Sequence, residues 1–261
     1  MTVVLHEMDG RGIGTVTLNR PEVHNAYNGA LIDGLAAALG ALSGMAGLRA
    51  VVLRANGKHF SAGADLGWLR RAADFSPGEN LEFSRRTVAA VQGLMDFPVP
   101  TVALVQGACF GGGVGLVGAC DIAVAGADSI FALTEVRVGV NPAPITRQLI
   151  AATGMRHARR YLLSGERFDA AEAHRIGLVH EVVAREELDA SGVRIVDALL
   201  LGGPEALRET KAMVLSVAGL VPAPGALDDL AAPAARRRAS AEAREGLSAF
   251  LEKRKPRWVQ E

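Results

Sequence analysis

The sequence predicts an α/β fold, a strand-and-helix core followed by a helical module, and three features of the chain lead there. Segments with strand and helix patterning alternate from residue 3 to residue 183, and after Glu186 only helical periodicity remains. With 49% of its 261 residues hydrophobic, the chain can also bury a large core. The core is placed at residues 1–190 and the helical module at residues 191–261.

The elements follow in order. Val3–Leu5 and Thr15–Leu18 are short β-branched runs across the turn signal Gly10-Arg11-Gly12, a hairpin ended by Asn19-Arg20-Pro21. From Asn28 to Leu42, Leu31, Ile32, Leu35, Ala38, Leu39 and Leu42 recur at intervals of three and four, the stripe of a helix packed on a sheet. Ala50–Leu53 supplies a buried strand and Asn56–Phe60 a loop. Asp65 is suited to cap a helix over Trp68–Ala73, which stops at the Ser76-Pro77-Gly78 break. Glu79–Met95 resumes the helical period. Pro98 and Pro100 bracket entry to the strand Thr101–Val105, followed by a glycine loop, a small-residue helix and a strand at Ile122–Val124. A strand at Ile130–Leu133, helices around Ile145–Ala152 and His157–Leu163, and a strand at Val179–Val183 close the alternation. Helices at Leu188–Leu201, Pro204–Val217 and Ala239–Lys253 form the module, with the Pro- and Ala-rich stretch Pro222–Pro233 as its linker or hinge.

Bulk properties narrow the function classes. Lys plus Arg equals Asp plus Glu at 28 each, so no net positive field gathers phosphate backbones or anionic lipid, and nucleic acid is not an expected partner. The apolar stretch Val99–Val105 is too short to span a bilayer, and residues 1–10 lack the basic and apolar regions of a secretion signal, so a cytoplasmic protein without membrane contact is expected. Cys109 and Cys120 are read as reduced structural thiols, with no metal site. Arg236-Arg237-Arg238 reads as a solvated or subunit-facing charge run, His157, His174 and His180 as satisfied or exposed side chains, and Asp121 as a structural hydrogen-bonding group.

Two segments stand out. Gly57 to Leu66 runs through Ser61-Ala62-Gly63-Ala64-Asp65 into a helix start, and Gln106 to Gly115 carries Gly111-Gly112-Gly113 into another. Side chains this small leave backbone N–H groups accessible, and the first N–H groups of a helix have no intrahelical acceptor. Either loop alone reads as tight helix–sheet packing; together they can form an oxyanion hole. A different class fits one fragment: Gly113-Val114-Gly115-Leu116-Val117-Gly118 satisfies the dinucleotide pattern Gly-x-Gly-x-x-Gly, with Glu135 about twenty residues beyond. Against an NAD site, Gln106–Gly112 separates that motif from the preceding strand end.

The ordered set of segments resembles the enoyl-CoA hydratase/isomerase (crotonase) superfamily over nearly the whole chain. It starts with Asn19-Arg20-Pro21-Glu22-Val23-His24-Asn25-Ala26, passes through both glycine loops and Phe131–Gly139, and ends with Glu245–Pro256. The resemblance implies a ββα spiral core and a C-terminal module that builds homotrimers or homohexamers. It also implies that coenzyme A enters as part of an acyl-CoA substrate, with no tightly bound cofactor. Carried over by residue, it makes Ala62 and Gly112 the oxyanion-hole amides and Glu135 the acid/base. His24, Ala26, Ser61, Ala64, Asp65 and Leu66 would surround pantetheine and adenine, and Lys253 and Trp258 would reach the nucleotide. Each fixed donor facing a thioester enolate is worth roughly 3 kcal/mol of transition-state stabilisation. A carboxylate facing an apolar acyl pocket should have its pKa raised into a range useful for proton transfer. Where the best-known hydratases hold a second glutamate this chain has Gly115, an arrangement similar to the family's isomerases and to some hydratases acting on branched or carboxylated chains, such as the methylglutaconyl-CoA type. Hydration is expected, with isomerisation as the alternative and a non-catalytic acyl-CoA binder as a further one.

Overall fold

The computed structural model describes residues 2–219, 232, 235, 236, 238–254 and 256. A six-stranded sheet forms the backbone of the fold, built from β1 (Val4–Met8), β2 (Ile13–Leu18), β3 (Ala50–Ala55), β4 (Thr101–Val105), β6 (Ile122–Gly126) and β9 (Glu181–Val183) in that spatial order. The first pair is the expected antiparallel hairpin and every later pairing is parallel. A smaller sheet holds β5 (Ala108–Phe110), β7 (Ile130–Ala132) and β8 (Arg167–Asp169), extended on one side by an isolated parallel bridge between Ser61 and Cys109. The chain therefore climbs as a spiral, laying one strand in the large sheet, one in the small sheet, then a helix.

Helices cover both faces of the large sheet. Helix α1 (Gly29–Ser43), capped by Asn28, buries Leu31, Ile32, Leu35, Ala38, Leu39 and Leu42, the stripe legible in the sequence. Helix α2 (Leu66–Ala72) starts at the Asp65 cap, and α3 (Pro77–Met95) opens with a reciprocal Ser76–Glu79 capping box. Helix α4 (Gly112–Ala119) is followed by α5 (Ala143–Ser164), whose two expected halves are one element broken at Gly154, where φ is 71°. On the opposite face, α7 (Leu188–Leu200) packs Leu188 and Ile195 against Val102, Leu104 and Val124. The boundary expected at residue 190 thus cuts through a helix that belongs to the sheet's own core.

Helix α6 (Ala170–Arg175) and strands β5 and β8 were not expected from the sequence, each being only six or three residues long. Helices α8 (Pro204–Val217) and α9 (Ala241–Leu251) complete the described module, and α9 returns to pack on the short helix at Glu135–Val138. Apart from Ala232, the proposed hinge Pro222–Pro233 lies outside the described residues. Among the described residues no helix is long and apolar enough to cross a membrane, and no cluster of His, Cys, Asp or Glu could hold a metal ion.

Candidate active site

The site begins with a buried asparagine. Asn25 has a left-handed φ of 53° and no solvent exposure. Its Nδ2 donates to the carbonyls of Asn56 (2.8 Å) and His59 (2.9 Å), and its Oδ1 accepts the Arg20 N–H. Ser61 Oγ donates to the Asn25 carbonyl at 3.0 Å, so residues 61–65 are hung from the 20–28 segment. From there they run extended between Tyr27 and β5. The Ser61 N–H donates to Ala108 O, the Ala62 N–H to His24 O at 2.9 Å, and the Asp65 N–H to Tyr27 O. The Ala64 N–H has no acceptor among the described residues, and Ala64 lines a cavity of about 550 Å³.

These hydrogen bonds correct the expected amide pair. Ala62 cannot offer its N–H to a ligand, because the His24 carbonyl already holds it; two residues on, the open amide is that of Ala64. Gly112 keeps its expected place: it is the first residue of α4, where N–H groups lack intrahelical acceptors, and it lines the same cavity. Its missing side chain is required there, since a Cβ would lie 2.8 Å from Tyr27 Cε1.

Glu135 closes the third side. It opens the short helix after β7, and a Cβ built on Gly111 would come within 3.1 Å of its Oε1 and 3.7 Å of Gly63 Cα. The residue is half-buried overall, but its Oε2 is sealed from solvent without a hydrogen-bond partner. Burial pushes its carboxyl from the usual carboxylate range up to about 7. No ion pair with Arg137 offsets this; the Arg137 guanidinium reaches the Ser164 carbonyl instead. Burial, and then the nearby Glu135 charge, also hold the Tyr27 hydroxyl well above its ordinary value.

The position of the missing second carboxylate has a packing explanation. A Cβ at Gly115 would lie 2.1 Å from Ile145 Cγ2, so a branched side chain of α5 fills that space. Glu135 is the cavity's sole carboxylate among the described residues, and the remaining wall is largely apolar, with Leu31, Trp68, Phe83 and Leu116 facing in.

A family model described as enoyl-CoA hydratase/isomerase matches residues 9–261. The chain belongs to the enoyl-CoA hydratase/isomerase family. A relative from Thermus thermophilus, assigned as an enoyl-CoA hydratase, is 35% identical over 250 residues, covering 94% of this chain and 97% of its own. The solved enoyl-CoA hydratase from Mycobacterium avium is 38% identical with a TM-score of 0.86, covering 99% of this chain and all of the other. That from Shewanella pealeana is 38% identical with a TM-score of 0.80, covering 98% and 96%. The spiral fold and the acyl-CoA chemistry of the family are therefore those of this protein.

Within this family member the expected coenzyme A residues separate into groups. Ala64 and Leu66 line the cavity. Ser61 and Asp65 are committed to the scaffold: Asp65 caps α2 through the Trp68 N–H and pairs with Arg20 at 2.9 Å. Ala26 is buried and His24 is exposed beside the His59 ring; neither lines the cavity. Lys253 lies exposed just past α9, and Trp258 is outside the described residues. The dinucleotide pattern at Gly113–Gly118 lies wholly inside α4, and Gly115 and Gly118 face Ile145 and Gln148 of α5. Its glycines serve helix packing, not a phosphate turn. The sequence reading missed Tyr27, although it directly follows the Asn25-Ala26 segment, and it misplaced Arg238. Arg236 is exposed as expected, but Arg238 turns inward and lines the cavity.

Proposed function

We propose that this protein is an enoyl-CoA hydratase that adds water across the 2,3 double bond of a 2-enoyl-CoA, with Glu135 as its single acid/base. The observation that carries the reading is the meeting of two open amides, Ala64 and Gly112, with a desolvated carboxylate on one cavity. The thioester oxygen accepts from both N–H groups. Glu135 takes a proton from water as the water oxygen bonds to C3, and the electron pair of the double bond moves through C2 onto the thioester oxygen. The fixed donors stabilise that enolate, because they need not reorganise as charge develops. Glu135 then returns the proton to C2 on the same face, so that H and OH are added syn and the carboxylate is regenerated. A carboxyl titrating at about 7 suits both halves of this cycle.

Coenzyme A is here part of the substrate. The lone glutamate also favours a second reading, isomerisation, in which Glu135 moves a proton between two carbons without water. Turnover of straight and branched enoyl thioesters in heavy-oxygen water, read by mass spectrometry, separates the two: hydration incorporates label, whereas a shifted double bond without label supports isomerisation and overturns hydration. Self-association through the helical module belongs to the same proposal, supported by the exposed Leu201, Met213 and Val214. Sedimentation should give a trimer or hexamer; a stable monomer at micromolar concentration would contradict it.

A further inference from the structure

Arg238 is a charge in an unusual place. It lines the acyl cavity beside Trp68 of α2 and Phe83 of α3, its guanidinium carbon 5.8 Å and 5.0 Å from the two ring centroids. Its Nη1 donates to Asn80 Oδ1 and Ser84 Oγ, both at 3.3 Å and both neutral. No carboxylate among the described residues pairs with it, and neither Nη2 nor Nε donates to a protein acceptor among them. Neutral acceptors and aromatic faces orient a guanidinium but leave its charge uncompensated, and a desolvated cation of this kind is costly unless an anion meets it. Burial accordingly disfavours the charged form of Arg238.

The free edge matters as much as the charge. Two unsatisfied N–H directions of one planar guanidinium match the two oxygens of a carboxylate, a geometry that a point-like ammonium cannot reproduce. The position relative to the reacting centre is also suitable: Tyr27, Glu135 and Arg238 line one cavity, so a ligand that reaches Glu135 can extend to Arg238. An acyl chain held at its thioester by Ala64 and Gly112 would run past Tyr27 towards the Trp68–Phe83 wall.

We propose that Arg238 is a specificity residue for thioesters whose acyl chain ends in a carboxylate, the mono-coenzyme A thioesters of dicarboxylic acids. This rests on the reading of the cavity as an acyl-CoA site. The test is calorimetric binding of saturated thioesters in matched pairs, terminal methyl against terminal carboxylate at equal chain lengths from four to eight carbons. Wild type is compared with Arg238→Met and Arg238→Lys, and turnover of the corresponding 2-enoyl pairs is measured alongside. Wild type should bind at least one carboxylate-terminated member about 10- to 100-fold more tightly than its methyl counterpart, the range of a charged, bidentate hydrogen bond. Arg238→Met should erase that preference, weakening the carboxylate series about 10- to 100-fold more than the methyl series, and Arg238→Lys should restore part of it. The inference is overturned if wild type favours methyl ends at every length. It is also overturned if Arg238→Met weakens both series, or free coenzyme A, equally, as a purely structural arginine or a phosphate contact would. Discrimination without turnover would sink the hydratase reading and keep this one; turnover without discrimination would do the reverse.

Discussion

Replacing Glu135 by glutamine should make the protein more stable at neutral and alkaline pH while removing its activity. The carboxyl is raised from 4.5 to about 7 chiefly by burial, and its Oε2 has no partner. Keeping it ionised in the folded state therefore costs on the order of 3 kcal/mol relative to the unfolded chain. The sign follows from proton binding. Between pH 4.5 and 7 the folded protein holds a proton on Glu135 that the unfolded chain has released, so stability is fully present below 4.5 and falls as pH rises to about 7. Glutamine is never charged and escapes that loss. Urea unfolding of wild type and Glu135→Gln at pH 5, 6, 7 and 8 should show near-equal stability at the acid end and a gap that widens with pH to about 2–3 kcal/mol in favour of glutamine. A pH-independent gap, or a less stable variant at pH 8, would refute the view that Glu135 is an uncompensated buried carboxylate.

Further outcomes follow from the same geometry. The pH profile of kcat/KM should fall on the acid side with an apparent pKa near 7, since water activation needs the ionised carboxylate; a break near 4.5 would contradict this. Gly115→Glu alone should lose about 1–3 kcal/mol in thermal unfolding, because its Cβ collides with Ile145, and pairing it with Ile145→Ala should recover stability and supply a second carboxylate. Asn25→Ala should cost about 2 kcal/mol or more by denaturant titration and lower kcat, because it strands the Asn56 and His59 carbonyls and the Arg20 N–H and so unties the start of the strip that presents Ala64.

The sequence exposed what depends on local pattern. The α1 stripe, the Asp65 cap, the break at Ser76-Pro77-Gly78 and the strands at Ala50–Leu53 and Thr101–Val105 follow from periodicity and turn chemistry over a few residues, and the resemblance singled out Glu135 and Gly112, which meet on one cavity. It did not expose what depends on distant partners. Ala62 and Ala64 are indistinguishable as letters; only the His24 carbonyl, thirty-eight positions earlier, decides which amide is spent. Arg238 sits in a triplet that resembles a solvated run, and its burial comes from Trp68 and Phe83, far back in the chain. Strands β5 and β8 are too short to carry a periodic signal and exist through pairing with β7.

The decisive measurement is a crystal structure of the Glu135→Gln variant with a 2-enoyl-CoA bound. The thioester oxygen is expected about 2.7–3.1 Å from the backbone nitrogens of both Ala64 and Gly112, with the glutamine side chain facing C2 and C3. An oxygen that meets neither amide, or one that draws the Ala62 N–H away from His24, would contradict the assignment.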